Sequence, residues 1–417
     1  MRIISDFHIH SRFAMACSEA ITIPGIDVTA REKGINLIGT GDFTHPKWLN
    51  EIKEALEPAE PGLFKVRNSQ TGTRFILSTE VSTVYDKGNR SRRVHHVILA
   101  TDIETVEQIN ERLSEKGELA SDGRPQISMT APEVVETVMG INRNAFIFPA
   151  HIWTPFFGAL GMRTGFDSIK EAYEDQEKHI HAVEMGLSSN SPMNWRVSEL
   201  DKYTLLGNSD MHSLPKIGRE MNVFDIDEKT LSFSEVTDAI KKRDKNVFKF
   251  VLKFYPEEGK YHFDGHRQCV VSVDPEKYNI SNCPVCGKRL TIGVMHRVTD
   301  LADRPHGYVP KDAIPYVSAV PLREVIAYVI NKGEATSAVE KVYQKLVAGS
   351  TEFDVLVDME PEQIEKRSDK DIAQAVRNMR SGQINIVPGY DGVFGRIDLL
   401  NKEKAAPLSA SWKQRML

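Results

Sequence analysis

The chain has 417 residues, 41% hydrophobic and 27% charged, an ordinary globular composition with an ample core that suggests two or three domains. Lysine and arginine number 53 against 58 aspartates and glutamates, and the formal charge of −5 excludes a global basic signature for nucleic acid, leaving any such binding to local patches. No apolar run approaches membrane-spanning length and no basic-then-apolar leader opens the chain, so the expectation is a cytoplasmic protein without membrane contact.

The first strand-like segment, ISDFHIHSRFA, carries His8 and His10 one residue apart, and strand alternation turns both imidazoles to the same side. Further apolar segments follow to about residue 230: INLIGTGDF, TRFILSTEVS, VHHVILATD, NAFIFPAHI, HAVEMGLSS and YTLLGNSDMH. The runs GIDVTAREKG, ETVEQINERLSEKG and APEVVETVMGI between them have helical character. This alternation predicts an α/β domain with a mainly parallel sheet, open or closed into a barrel, whose site lies at the C-terminal ends of the strands. A last helix, SFSEVTDAIKKRDKN, closes the domain, and we set its boundaries at residues 1–235.

Metal-type side chains recur where these strands meet their loops. Asp42 follows LIGTG, Glu80 follows FILST, His96 lies in RVHHVILA, His151 ends FIFPA, and Asp210 and His212 end LLGNS. With His8 and His10, six strand ends carry His, Asp or Glu, a pattern that surface decoration does not explain. Mixed imidazole and carboxylate suit Zn, Mn or Fe better than Ca or an all-sulfur site. Cys17 falls outside the pattern and is expected in the core.

From about 255 to 298 the texture becomes short and turn-rich. His266 and Cys269 are spaced H-x-x-C, and Cys283 and Cys286 are spaced C-x-x-C in CPVCG. Without an export signal such a cluster points to metal rather than disulfides, and four protein ligands with no open position point to one structural Zn. His262 is the alternative fourth ligand to His266. We assign residues 236–298 to a linker helix and this zinc-binding module. Residues 299–417 are assigned to a helical region with LREVIAYVINKG, SAVEKVYQKLVAG and DKDIAQAVRNMRSG, a Gly-rich turn VPGYDGVFGRI and a short tail.

The motifs DFHIHSRFA, GTGDFTHPKW, LSTEVS, HHVILA, FPAHIW and GNSDMH resemble those of PHP domains, the polymerase and histidinol phosphatase superfamily. The resemblance covers about residues 1–230. It implies a PHP-type distorted (β/α)7 barrel binding up to three catalytic divalent metals (Zn, Mn or Mg) that hydrolyse phosphoesters. With the zinc module and the helical region that follow, nearly the whole chain resembles the endonuclease Q family of repair nucleases. Carried over by position, His8, His10, Glu80 and Asp210 are catalytic and hold the core metals. Glu80 bridges two of them, His96 and His151 complete the second, and Asp42 and His212 serve a third. Many PHP domains have an adjacent Asp-His where this chain has Gly41-Asp42, which brings His45 into question as a further ligand. His95 lies on the opposite strand face from His96, and His96 is preferred because it precedes the apolar run VILA, as in the family.

The family implies a metal-dependent DNA endonuclease that cuts on the 5′ side of deaminated bases (uracil, hypoxanthine, xanthine) or abasic sites, leaving 3′-hydroxyl and 5′-phosphate ends. The alternatives are a small-molecule phosphatase of the histidinol phosphate type and a non-catalytic nucleic-acid-binding protein. DNA is the expected partner. Lys288, Arg289, Arg297 and Arg304 could meet its phosphates, as could Lys87, Arg90, Arg92, Arg93 and Arg219. Trp153, Phe156 and Phe157 are candidates for stacking on an extruded base, and backbone amides near Gly389 and Gly392 for contacting it. The tail SASWKQRML has no paired-aromatic clamp-binding motif.

Overall fold

A computed structural model describes residues 1–401. The tail, with its clamp-motif expectation, lies outside the described residues. The described residues divide into two compact units, residues 1–186 with 199–253 and 309–317, and residues 187–198 with 254–308 and the segment from 318 onward. No helix among the described residues is long and apolar enough to cross a membrane.

The first unit is built around a ring of strands. Arg2–Asp6 pairs in parallel with Leu37–Gly39, which pairs in parallel with Arg74–Lys87. Arg74–Lys87 pairs antiparallel with Arg90–Ala100, which pairs antiparallel with Phe146–Pro149. The Ile152 amide then donates to the Glu184 carbonyl, linking this run to Ala182–Glu184 and its parallel neighbour Thr204–Leu206. A parallel bridge between Ile9 and Met211 returns to the extension of the first strand. These seven strands form a distorted α/β barrel, with Met221–Asp225 and Phe248–Lys253 added outside Arg2–Asp6. The ring is mixed rather than mainly parallel. The cause is the two-residue turn at Gly88–Asn89, where φ is +59° and +60°, the left-handed pair that suits a tight hairpin.

Every ring strand contributes at least one buried residue to a single core cluster, among them Ile3, Leu37, Ile76, Val97, Phe148, Ala182 and Leu206. Barrels of this size are filled by side chains rather than hollow, so the strand ends are held by a packed interior. The expected helices form at Ile23–Lys33, Ile103–Ser114, Ala131–Ile141 and Phe233–Lys242. Their starts are capped by the side chains of Thr22, Asp102, Thr130 and Ser232, each accepting from a first-turn amide.

The second unit carries two hairpins, Asp264–His266 with Val271–Val273 and Asn385–Val387 with Arg396–Asp398. Its helices include Val294–Leu301, Leu322–Ile330, Ser337–Val347 and Lys370–Ser381. Buried Glu352 ties two of them together, accepting from the Leu322 amide at 3.0 Å and the Tyr343 hydroxyl at 2.9 Å.

Candidate metal centres

At the C-terminal ends of the ring strands, ligand-type atoms of His8, His10, Glu80 and Asp210 lie within 4.8 Å of one another, as do those of Glu80, His95 and His151. Glu80 is fully buried and shared by both groups. Its Oε2 lies 3.4 Å from His8 Nε2 and 3.2 Å from His10 Nε2, and its Oε1 lies 2.7 Å from His95 Nδ1 and 2.9 Å from His151 Nε2.

The donor set suits a divalent cation. His8 Nε2, His10 Nε2 and Asp210 Oδ1 are buried and have no hydrogen-bond partner, although His10 Nε2 and Asp210 Oδ1 are 3.1 Å apart. Buried polar atoms left without partners cost free energy, and three that converge beside a carboxylate make a ligand set. The other nitrogens of both rings are held from behind. His8 Nδ1 meets the buried Glu184 carboxylate at 3.0 Å, and His10 Nδ1 meets Asp42 Oδ1 at 2.9 Å. Carboxylates placed this way fix tautomer and ring orientation at metal-binding histidines. Glu184 is itself fixed by the Asn208 amide at 2.8 Å and the His151 backbone amide at 2.8 Å.

The electrostatics follow from burial and these neighbours. Burial opposes charge on His8 and His10, but Glu184 and Glu80 around the first and Asp42 and Asp210 around the second raise both above the usual imidazole range. Burial also opposes ionisation of Glu80 and Asp210, yet the surrounding histidines hold both carboxyls below their usual range. Burial pushes His95 down to about 4, which keeps it neutral as a ligand must be. The backbone at Asp42, His151 and Asp210 is left-handed, with φ of +45°, +28° and +47°. Such strain in residues other than glycine concentrates at functional sites.

Several expectations change. His96 is not brought to the cluster. It lies between the Tyr173 hydroxyl at 2.8 Å and the Thr83 hydroxyl at 3.0 Å, and His95 takes the place beside Glu80. The hairpin register accounts for this, because Glu80 lies opposite Val97 and Ser82 opposite His95, which puts His95 on the face of Glu80. Asp42 supports His10 rather than joining a third ligand group. Its second oxygen accepts from the Ser11 amide at 2.6 Å. His212 stacks edge-on against His10 at 4.9 Å, and its Nδ1 lies 2.8 Å from the Asp210 carbonyl. His45 stacks on Phe13 at 4.3 Å. Among the described residues, none of Asp42, His212 and His45 enters a group of three or more metal-type ligands.

Glu184 and Arg124 were missed by the sequence reasoning. Glu184 ends the apolar strand in HAVEMGLSS, the same signal that picked out Glu80. Arg124, 3.4 Å from Glu80, sits in a loop with no such signal.

The aromatic candidates separate by exposure: Trp153 is 1% exposed and Phe156 54%. Phe157 lies over His95 at 4.5 Å. Lys87 and Arg92 are engaged internally, Lys87 with Glu174 at 2.7 Å and Arg92 over the Phe166 ring at 4.1 Å. The Gly389 and Gly392 amides are also engaged, donating to the carbonyls of Glu257 and Lys260 at 2.8 Å each, so they are not open donors to a base.

In the second unit, ligand atoms of His266, Cys269, Cys283 and Cys286 lie within 4.8 Å of one another, whereas His262 is outside the group. Cys283 and Cys286 sit on a tight turn in which the Gly287 amide donates to the Cys283 carbonyl at 2.9 Å and Gly287 has φ of +73°. Three sulfurs and one imidazole from two turns are a donor set that suits a tetrahedral metal site of the kind zinc takes in structural modules.

Residues 321–383 match the family model of the MJ0043 C-terminal domain. The chain is 27% identical over 415 residues to the uncharacterized protein YqxK of Bacillus subtilis, covering 95% of this chain and 99% of YqxK. It is 32% identical over 270 residues to the uncharacterized protein MJ0043 of Methanocaldococcus jannaschii, covering 63% of this chain and 32% of MJ0043. Among solved structures it is similar to the lesion-specific endonuclease PfuEndoQ from Pyrococcus furiosus, with a TM-score of 0.84, 32% identity, and 98% of this chain and 99% of that one covered. It is equally similar to endonuclease Q in complex with a 27-mer duplex bearing an abasic lesion at the active site, with a TM-score of 0.83, 31% identity, and 97% and 99% covered.

Proposed function

Because the chain belongs to the endonuclease Q family, we propose that it is a metal-dependent DNA repair endonuclease that acts on duplexes bearing abasic sites or deaminated bases. It cuts one strand on the 5′ side of the lesion and leaves 3′-hydroxyl and 5′-phosphate ends. The observation that carries this reading is the convergence of His8, His10, Glu80, His95, His151 and Asp210 around one shared carboxylate.

In this reading His8, His10, Glu80 and Asp210 hold one divalent cation and Glu80, His95 and His151 a second, with Zn, Mn or Mg as the candidates. Asp42 and His212 lie against His10, the first at its Nδ1 and the second edge-on to its ring. When bound, the cations neutralise a phosphodiester and acidify water. The chain's own residues set the geometry. Glu184 and Asp42 aim the Nε2 atoms of His8 and His10 into the cluster. Arg124, partly exposed beside Glu80, is placed to meet a phosphodiester oxygen. Phe156, exposed in the loop after His151, is the candidate to touch bases at the lesion.

A weakly paired lesion costs less to extrude than a normal base, by up to a few kcal/mol. Since about 1.4 kcal/mol is tenfold in rate, extrusion alone gives useful but incomplete discrimination. Contacts to the keto edge of uracil, hypoxanthine or xanthine supply the rest. A DNA substrate and cysteines grouped as metal ligands rather than as disulfides go with a cytoplasmic location.

The test uses end-labelled duplexes containing uracil, hypoxanthine, xanthine, an abasic site or no lesion, with Mn²⁺ or Mg²⁺, beside p-nitrophenyl phosphate. Lesion-dependent nicking is expected. Equal cutting of the undamaged duplex, release of a free base, or turnover of the small ester alone would overturn the reading.

A further inference from the structure

The base of the barrel, at the end opposite the metal-ligand cluster, holds a second pocket of about 590 Å³. That volume lies inside the range of small-molecule sites. The pocket forms where the chain enters two ring strands. Phe146 and His181 line it, while at the far ends of the same segments His151 belongs to the cluster above and Glu184 supports it through His8. At about 3.3 Å per residue, the strands separate the two places by roughly 10 to 15 Å.

Its charge is one-sided. Arg143, Lys178 and Lys241 line it against one carboxylate, Glu136, among the described lining residues. Arg143 and Lys178 make no ion pair or side-chain hydrogen bond among the described residues. Lys241 is loosely held, 3.9 Å from Asp238 and 5.8 Å from the centre of the Phe146 ring. Two imidazoles sense the resulting field. Burial pushes His179 and His181 below the usual range, and the charges of Lys178 and Arg143 on the first and of Lys241 on the second add to it, with Asp175 opposing at His179.

The rim is kept open by Gly140, in the helix Ala131–Ile141, where an added Cβ would meet nothing within 4 Å. Glycine in a helix costs about 1 kcal/mol relative to alanine. The position therefore carries a helix-weakening residue where packing does not require one.

We propose that this pocket binds a phosphate dianion, either inorganic phosphate or the phosphate monoester of a mononucleotide, at a site separate from the metal centres. A guanidinium fork and two ammonium groups match the oxygens of a phosphate dianion. Met139, Ala145 and Phe146 provide an apolar wall beside them, room that a mononucleotide fills and bare phosphate does not. A dianion set against the two imidazoles raises their pKa, so binding takes up protons.

The test is isothermal titration calorimetry of the full chain with thymidine 5′-monophosphate, inorganic phosphate and uncharged thymidine. The nucleotide is expected to bind and thymidine not to. Tighter binding of the nucleotide than of phosphate identifies a mononucleotide as the ligand, and equal affinity identifies phosphate itself. Lys178→Glu combined with Arg143→Glu should weaken binding by about tenfold or more. Gly140→Trp should abolish it by filling the pocket, Gly140→Ala should retain it, and thermal melting checks that each variant is folded. Asp210→Asn should leave the affinity unchanged. No heat with either phosphate, or binding that survives Gly140→Trp but is lost in Asp210→Asn, overturns the proposal.

Discussion

In the barrel, His8 and His10 reach the metal-ligand cluster with their other ring nitrogens already held by Glu184 and Asp42. In the second unit, Cys269, Cys283, Cys286 and His266 sit on two turns beside a core cluster of four buried residues, Val271, Val273, Cys283 and Leu290. The first ligand set is positioned by a filled barrel and would keep its shape with or without a cation. The second has little apolar burial of its own, so a metal held there would contribute directly to folding free energy. The imidazole and carboxylate ligands of the barrel and the thiolate and imidazole ligands of the second unit thus differ in how much of their geometry the surrounding core holds.

The sharpest way to break that contrast is to remove a ligand from each side. Cys283→Ser should cost the second unit one equivalent of zinc and a large part of the metal's contribution, which is about 10 kcal/mol in small zinc modules. The local structure around residues 264–291 should then become sensitive to protease, which metal analysis and limited proteolysis would both register. Unchanged zinc content would remove Cys283 from the site.

Asp210→Asn should behave in the opposite way. Nicking should fall by about a thousandfold, equivalent to about 4 kcal/mol of transition-state stabilisation, while the melting temperature stays level or rises. A mutant that melts early would mean that the barrel needs its metal ligands to fold.

The two adjacent histidines test the same distinction within one strand. His95→Ala should lower nicking by about a hundredfold, the scale of a lost ligand contact. His96→Ala should leave the turnover of folded protein near wild type and destabilise the barrel instead, because it strands the buried Tyr173 hydroxyl. Single-turnover rates set beside denaturant melts would separate the two effects, and equal activity losses would contradict the placement.

The smallest effect concerns pH. Burial pushes His262 in the second unit down to about 4. A histidine with a depressed folded-state pKa contributes stability above its unfolded value near 6.5 that is lost as pH falls toward 4. The loss should reach about 2 kcal/mol at pH 5. His262→Gln should flatten that part of the pH–stability curve, and an unchanged curve would show that the imidazole is not held neutral.

Much of this arrangement is legible in the sequence, because side chains at strand ends announce themselves after apolar runs. His8, His10, Glu80, His151 and Asp210 are found that way. Glu184 could have been, since it ends the strand in HAVEMG by the same rule. The choice between His95 and His96 needed the hairpin register, and the register can be counted from the sequence. A two-residue turn at Gly88–Asn89 pairs Lys87 with Arg90 and, counting back, Glu80 with Val97. That count puts His95, two residues from Val97, on the face of Glu80. Arg124 was not legible, because it comes from a loop whose path depends on the folded barrel. Lys87 and Arg92 carry a signal that sequence alone does not resolve. A basic run suggests DNA contact, and in the fold the two side chains also meet the chain itself, Lys87 at Glu174 and Arg92 over the Phe166 ring.

The left-handed backbone at Asp42, His151 and Asp210 sets stability against activity during selection. Each such residue carries about 1 to 3 kcal/mol of strain that glycine would relieve. A library screened for thermal resistance alone should therefore drift toward glycine at these positions and lose the nuclease while hardening the fold. One screened for nicking should hold all three and recover stability on surfaces far from the strand ends. The protein's heat tolerance is thus limited in part by the geometry of its own site.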